Sequence, residues 1–203
     1  MASIYTERHS GVALYCGSAP CVFSDLEEAK KLFPEAPVYG ANYTASMIPE
    51  IEHVWSQHDD FAQKIKDDAG RQIYVHTRFS QSMGIDNLWK LKHLRRVYDA
   101  VDYVWPDLDW VAGSSGVAGA YWLRHGMGYD KVIICGAPLS IDCLDYSKEY
   151  SGYQRNKGRP CAKKKNMQEW LTVLKRNVGP RTEGIYSMSG ATQRILGGPD
   201  GIR

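Results

Sequence analysis

Asp109-Trp110-Val111-Ala112-Gly113-Ser114-Ser115-Gly116-Val117-Ala118-Gly119-Ala120, followed shortly by Tyr129-Asp130-Lys131-Val132-Ile133-Ile134-Cys135-Gly136, decides how this chain folds. The stretch reads as a tight Gly-Ser-Ser-Gly turn, a helix of small residues and a buried strand that ends in glycine. Lys131–Cys135 is a short run of branched apolar residues, suited to the middle of a parallel sheet. Over Ser115–His125, the residues Val117, Ala118, Ala120, Tyr121 and Leu123 cover most of a helix's circumference, as expected where a helix lies close on a sheet. Gly126 and Gly128 can end that helix. The turn ahead of it places backbone N–H groups and the hydroxyls of Ser114 and Ser115 where a phosphate or another anion is favoured.

A shorter version of the same device opens the chain. Gly11–Cys16 is an apolar run bounded by glycine, then comes Gly17-Ser18-Ala19-Pro20, then a helical pattern of Leu26, Ala29, Leu32 and Phe33. Ser24 with Glu27 suggests a capping box at the start of that helix, and Pro34 its end. Further strands are expected over Ala36–Ala41, Glu52–His58 (with a helix continuing from Ser46 as the rival) and Gln72–His76. Helical spacing appears at Asn87–Tyr98, Asn166–Val178 and Ala191–Leu196, with a minor strand at Tyr103–Trp105 and a last strand and loop at Gly184–Gly190. Residues 140–165 are polar and turn-rich, which predicts a flexible basic lobe. Alternation of this kind predicts a single doubly wound, mostly parallel α/β sheet of Rossmann-like type over residues 1–203.

Composition narrows the function classes. A hydrophobic fraction of 43% in 203 residues is ordinary for one globular domain. No apolar run reaches the roughly 18–20 residues of a membrane span, and Met1–Arg8 lacks a signal peptide's apolar core, so a cytoplasmic protein is expected. The five cysteines are odd in number and show no CxxC spacing; Cys16 and Cys135, at strand ends, read as buried reduced thiols. The net charge of +2 hides an asymmetry: residues 151–203 carry 11 Lys/Arg against 3 Asp/Glu, and residues 1–150 carry 14 against 20. The basic stretch 155–176 offers nucleic-acid phosphates a partner, with a solvated basic loop as the alternative.

Gly17-Ser18-Ala19-Pro20, Ser114-Ser115-Gly116 and Gly128 through Gly136, taken as an ordered set, resemble the Rossmann-like bacterial sialyltransferases and their relatives. These include a motility-associated domain of unknown function and pterin diphosphokinase-like proteins. Small tailed-bacteriophage proteins share the layout, including a closing Ser-Met-Ser-Gly and Leu-Gly, here Ser187–Gly190 and Leu196-Gly197. The resemblance spans residues 11–20, 36–60, 109–138 and 184–197. Ala19 and Cys21 depart from the family's Gly-x-Gly-Pro-Ser loop. No histidine follows His125, so the family's acceptor-activating histidine has no counterpart by position. The resemblance therefore implies a nucleotide-binding frame rather than transfer of sialic acid. For a phage protein, the location implied is the host cytoplasm.

The candidate site residues follow from both readings. Gly17, Ser18, Asn42, Gly113, Ser114, Ser115, Gly116 and Gly136 are expected to hold a nucleotide or nucleotide-sugar, with an ordinary turn as the alternative for Gly17, Ser18 and Asn42. Gly113–Val117 is not a nucleophile elbow, because the last glycine of Gly-x-Ser-x-Gly is missing. His58, beside Asp59 and Asp60, is a candidate general base or a surface histidine near a helix cap. His76 and Arg78, read as the end of the fourth strand, are candidates for handling an acceptor proton and a leaving diphosphate. No metal is required, although carboxylates at Asp59 and Asp60 would suit Mg2+. The functions expected are a glycosyltransferase-like transferase, a non-catalytic nucleotide-binding or sequestering protein, and a nucleic-acid modifying protein.

Overall fold

The structure, a computed structural model, describes residues 9–56, 62–79, 100–103, 114–140, 164–180 and 182–202. Seven parallel strands form one sheet in the order β5-β4-β3-β2-β1-β6-β7: β1 Val12–Cys16, β2 Val38–Ala41, β3 His53–Trp55, β4 Tyr74–Phe79, β5 Ala100–Tyr103, β6 Lys131–Cys135 and β7 Ile185–Ser187. Helices α1 (Val22–Leu32), α2 (Ala62–Ala69), α3 (Ser115–Tyr121), α4 (Lys164–Arg176) and α5 (Gly190–Leu196) complete the frame. The expected doubly wound α/β architecture is the one observed.

Period-two alternation along the strands divides the core into two layers. Leu14, Cys16, Ile133 and Cys135 face α1 and α2, meeting Val22, Leu26, Ala29 and Ile65. Ala13, Tyr15, Val132 and Ile134 face α3, α4 and α5, meeting Val117, Ala120, Tyr121 and Leu174. Burial on both sides is why β1 and β6 read as continuous apolar runs. Helix α3 lies close on β1 because Gly119 has no side chain: a Cβ there would run into the ring of Tyr15.

Several element boundaries differ from expectation, for local reasons. Helix α1 starts at Val22, with Cys21 at the cap position; Ser24 Oγ donates to the Cys21 carbonyl and does not cap, while Glu27 lies beside Lys31. The chain has already begun to turn there, since the Val22 N–H donates to the Ala19 carbonyl. Strand β2 begins after Pro37, not at Ala36. Strand β3 is limited to His53–Trp55, and β4 runs on to Phe79 because β5 pairs with it from His76 through Phe79. His76-Thr77-Arg78 is therefore the middle of a strand and not its end. The helix expected over Ser115–His125 is α-helical to Tyr121 and then widens to a π-turn over Trp122–Gly126. Helices α4 and α5 are displaced by one or two residues from their expected bounds. Asn87–Tyr98, Val104, Trp105 and 141–163 lie outside the described residues.

Candidate functional site

The chain leaves β1 toward β2 on one side and returns to β6 on the other, so the strand order reverses between β1 and β6. At such a switch point the loops beyond the strand ends diverge and leave a crevice, the usual ligand position in open α/β sheets. Cys16 and Cys135 are register partners, so Gly17 and Gly136 are the first residues beyond the sheet on either side. Gly17 N–H donates to the Cys135 carbonyl at 2.7 Å and Ala19 N–H to the Gly136 carbonyl at 2.9 Å. A Cβ on Gly17 would fall 2.8 Å from Ala137 Cβ, so a side chain at Gly17 would force the loops apart. Gly136 has φ +67, and its N–H donates to Asp25 Oδ2 at 2.8 Å. The Ser189 hydroxyl donates to that same oxygen at 2.6 Å. One carboxylate on α1 thus ties the loops after β6 and β7 together, and it occupies the Gly136 N–H. Both glycines shape the crevice, and their N–H groups are spent within the protein.

The free polar groups come from elsewhere. Ser114 has the extended backbone of an N-cap, and its carbonyl accepts from Val117 and Ala118, yet its hydroxyl makes no capping bond. An N-cap serine ordinarily spends that oxygen on the helix N–H groups. Ser114 is 8% and Ser115 7% exposed, and neither hydroxyl has a hydrogen-bond partner among the described residues. Tyr15 fixes the turn from below: its hydroxyl donates to the Ser115 carbonyl at 2.6 Å, and burial raises its pKa well above the ordinary phenol value. A Cβ on Gly116 would sit 3.0 Å from Ala137 Cβ, so this turn packs against the loop that Gly17 also touches. Ser18 is half-buried beside it. Ser18, Ser114, Ser115, Gly116, Gly17 and Gly136 are thereby brought to one edge; Gly113 lies outside the described residues.

The catalytic candidates fare differently. His58, with Asp59 and Asp60, lies outside the described residues. Arg78 has its backbone on β4 opposite Asp102, and its side chain is outside what is described. His76 is fully enclosed, with its Nε2 3.0 Å from His53 Nδ1 and its ring 4.7 Å from Trp122. Burial, and secondarily His53, lowers its pKa to about 3. It is a neutral core imidazole at physiological pH. Asn42 follows β2 and opens a 3-10 turn over Asn42–Ser46 at φ +51, a conformation that asparagine tolerates better than most residues.

Asp25, Ser189, Trp55 and Trp122 join the site region without having been singled out in the sequence. Asp25 carried the weak signal of an acid in a helix's first turn, and its partner lies 111 residues away. Among the described residues no group of three or more His, Cys, Asp or Glu could hold a metal ion. Cys16, Cys21 and Cys135 are free thiols; the hydrogen bond with Cys16, which favours the protonated thiol, and then burial raise the pKa of Cys135. No described helix is long and apolar enough to cross a membrane. Comparison of the chain with protein-family models, curated proteins and solved structures finds no match.

Proposed function

We propose that this chain binds a nucleotide or nucleotide-sugar in the crevice between β1 and β6, with the phosphate end at Ser18, Ser114 and Ser115. The observation that carries the reading is the pair Ser114 and Ser115, residues more than nine-tenths buried whose hydroxyls have no hydrogen-bond partner among the described residues, beside the switch-point loop. Two adjacent hydroxyls left unspent at a crevice fit a ligand acceptor. Phosphate oxygens accept hydrogen bonds, and Ser114 and Ser115 contribute hydroxyl donors there.

Binding rather than catalysis is the core of this reading, because function lives in the site and not in the fold. With His76 neutral and enclosed, an acid–base role would fall to another group. Group transfer from the bound donor is the enzymatic extension of this reading. The test is a thermal-shift screen of nucleoside mono- and diphosphates and sugar-nucleotides on ligand-free protein. A ligand at a hundredfold excess over its Kd stabilises the native state by about 2.7 kcal/mol. Ser114→Ala and Ser115→Ala should each remove a hydrogen bond of about 0.5–1.5 kcal/mol, a two- to twelvefold loss of affinity. No shift with any compound at millimolar concentration would refute the reading.

A further inference from the structure

Asn42 Oδ1, Trp55 Nε1 and Trp122 Nε1 are enclosed and have no hydrogen-bond partner among the described residues. Orphaned buried polar atoms are rare in folded proteins, and a group of them marks a place for a ligand or an ordered water. Register links Asn42 to Trp55, and ring contact links Trp55 to Trp122. Ala41 pairs with Trp55, so Asn42 is the residue just beyond that pair at the C-terminal edge. The Trp55 and Trp122 rings lie 5.3 Å apart, at 3% and 2% exposure. His53 Nδ1 and His76 Nε2 lie 3.0 Å apart and engage one another.

The position relative to the serine turn gives the group its meaning. Strands β1 and β3 are two spacings of roughly 4.8 Å apart, a distance that a mononucleotide spans from phosphate to base. A carboxamide oxygen and two indole N–H groups offer one acceptor and two donors. That set complements an edge carrying an N–H donor next to acceptor atoms, as the hydrogen-bonding edges of nucleobases do. Tyr39, edge-on to Trp122 at 5.9 Å, adds an apolar aromatic wall.

We infer that the C-terminal ends of β2 and β3, together with Trp122, form the base-reading end of the nucleotide site. Asn42 and the indoles of Trp55 and Trp122 supply its polar contacts. This rests on the nucleotide reading above and adds the part of the ligand that is recognised and where.

The experiment is calorimetric titration of the full chain with AMP, CMP, GMP and UMP, and with ribose 5-phosphate, which lacks the base. Wild type is compared with Trp55→Phe, which deletes one indole N–H and keeps a ring, and with Asn42→Gly, which deletes the carboxamide and suits the positive φ. The expected result is that wild type prefers at least one nucleotide over ribose 5-phosphate by tenfold or more. Both variants should lose most of that preference while binding ribose 5-phosphate as before. If Trp55→Phe does not fold, Asn42→Gly and the indole 1H–15N signals of Trp55 and Trp122 in wild type decide, since these signals should shift with nucleotide and not with ribose 5-phosphate. Equal binding of nucleotides and ribose 5-phosphate, or variants that lose both alike, would overturn the base-reading site and leave the phosphate site standing. Wild type that binds neither would overturn both.

Discussion

Replacing Gly119 by alanine should destabilise this protein, although alanine is the better helix former. An added Cβ at Gly119 would meet Oη, Cζ and Cε2 of Tyr15 well inside van der Waals contact. The tyrosine cannot step aside, because its ring is fully enclosed and its hydroxyl is bonded to the Ser115 carbonyl. Overpacking of this kind costs about 1–3 kcal/mol, and the upper end applies where the obstacle is pinned. The gain in helix propensity is about 1 kcal/mol, which leaves a net loss of about 2 kcal/mol. Urea denaturation of Gly119→Ala, Tyr15→Leu and the double variant completes a cycle. Tyr15→Leu opens the space, so the double variant should be more stable than the sum of the single losses predicts, with coupling of about 1–3 kcal/mol. Additive losses, or a Gly119→Ala protein stabilised by its propensity gain, would show that α3 does not ride on β1 as described. The positioning of Ser114 and Ser115 over the crevice would then fail with it.

Acid should weaken the fold through His76. Its pKa falls from 6.5 to about 3 on folding, so between those values the unfolded chain takes up a proton that the folded chain refuses. Stability therefore drops as pH falls through that window, by up to about 1.4 kcal/mol per pH unit, and this contribution is flat above it; urea midpoints at pH 7, 5.5 and 4.5 should show the slope, and His76→Gln should reduce it, whereas an unchanged slope in the variant would rule His76 out as its source. Asp25→Ala strands the Gly136 N–H and the Ser189 hydroxyl, so it should cost about 2–3 kcal/mol, with Asp25→Asn costing less; a neutral Asp25→Ala would mean that the carboxylate does not tie the loops together. Exposed Lys175, in the last turn of α4, should matter little to nucleotide affinity when changed to alanine, because an exposed cation is screened by salt; a loss larger than that of Ser115→Ala in the same titration would move the site to the basic segment.

Much of the frame was legible because the physics behind it is local. A short glycine-bounded run of branched apolar residues suits a strand buried on both faces, which marked β1 and β6 and placed Cys16 and Cys135 at strand ends. The Gly-Ser-Ser-Gly turn likewise announced the start of α3. What escaped was set by partners distant in sequence. Strand β4 extends to Phe79 because β5 pairs with it, and nothing within Tyr74–Phe79 encodes that partner. Ser24 looked like a cap, but the turn at Ala19–Val22 had already started α1. His76 looked like an edge histidine, and its pairing with His53 and cover by Trp122 exist only after the sheet is assembled. Gly136 was marked as a ligand contact, while the Asp25 that occupies its N–H could not be seen from the sequence alone.

The central claim is that a nucleotide lodges at the β1–β6 crevice, and the most direct measurement is an amide 1H–15N spectrum of the full chain titrated with the best ligand from the thermal-shift screen. The account predicts the largest shifts at Ser18, Ser115, Gly116 and Ala137, lost together in a Ser114→Ala/Ser115→Ala double variant that retains its fold. Shifts confined to 164–176, or an unaltered response in the double variant, would contradict it.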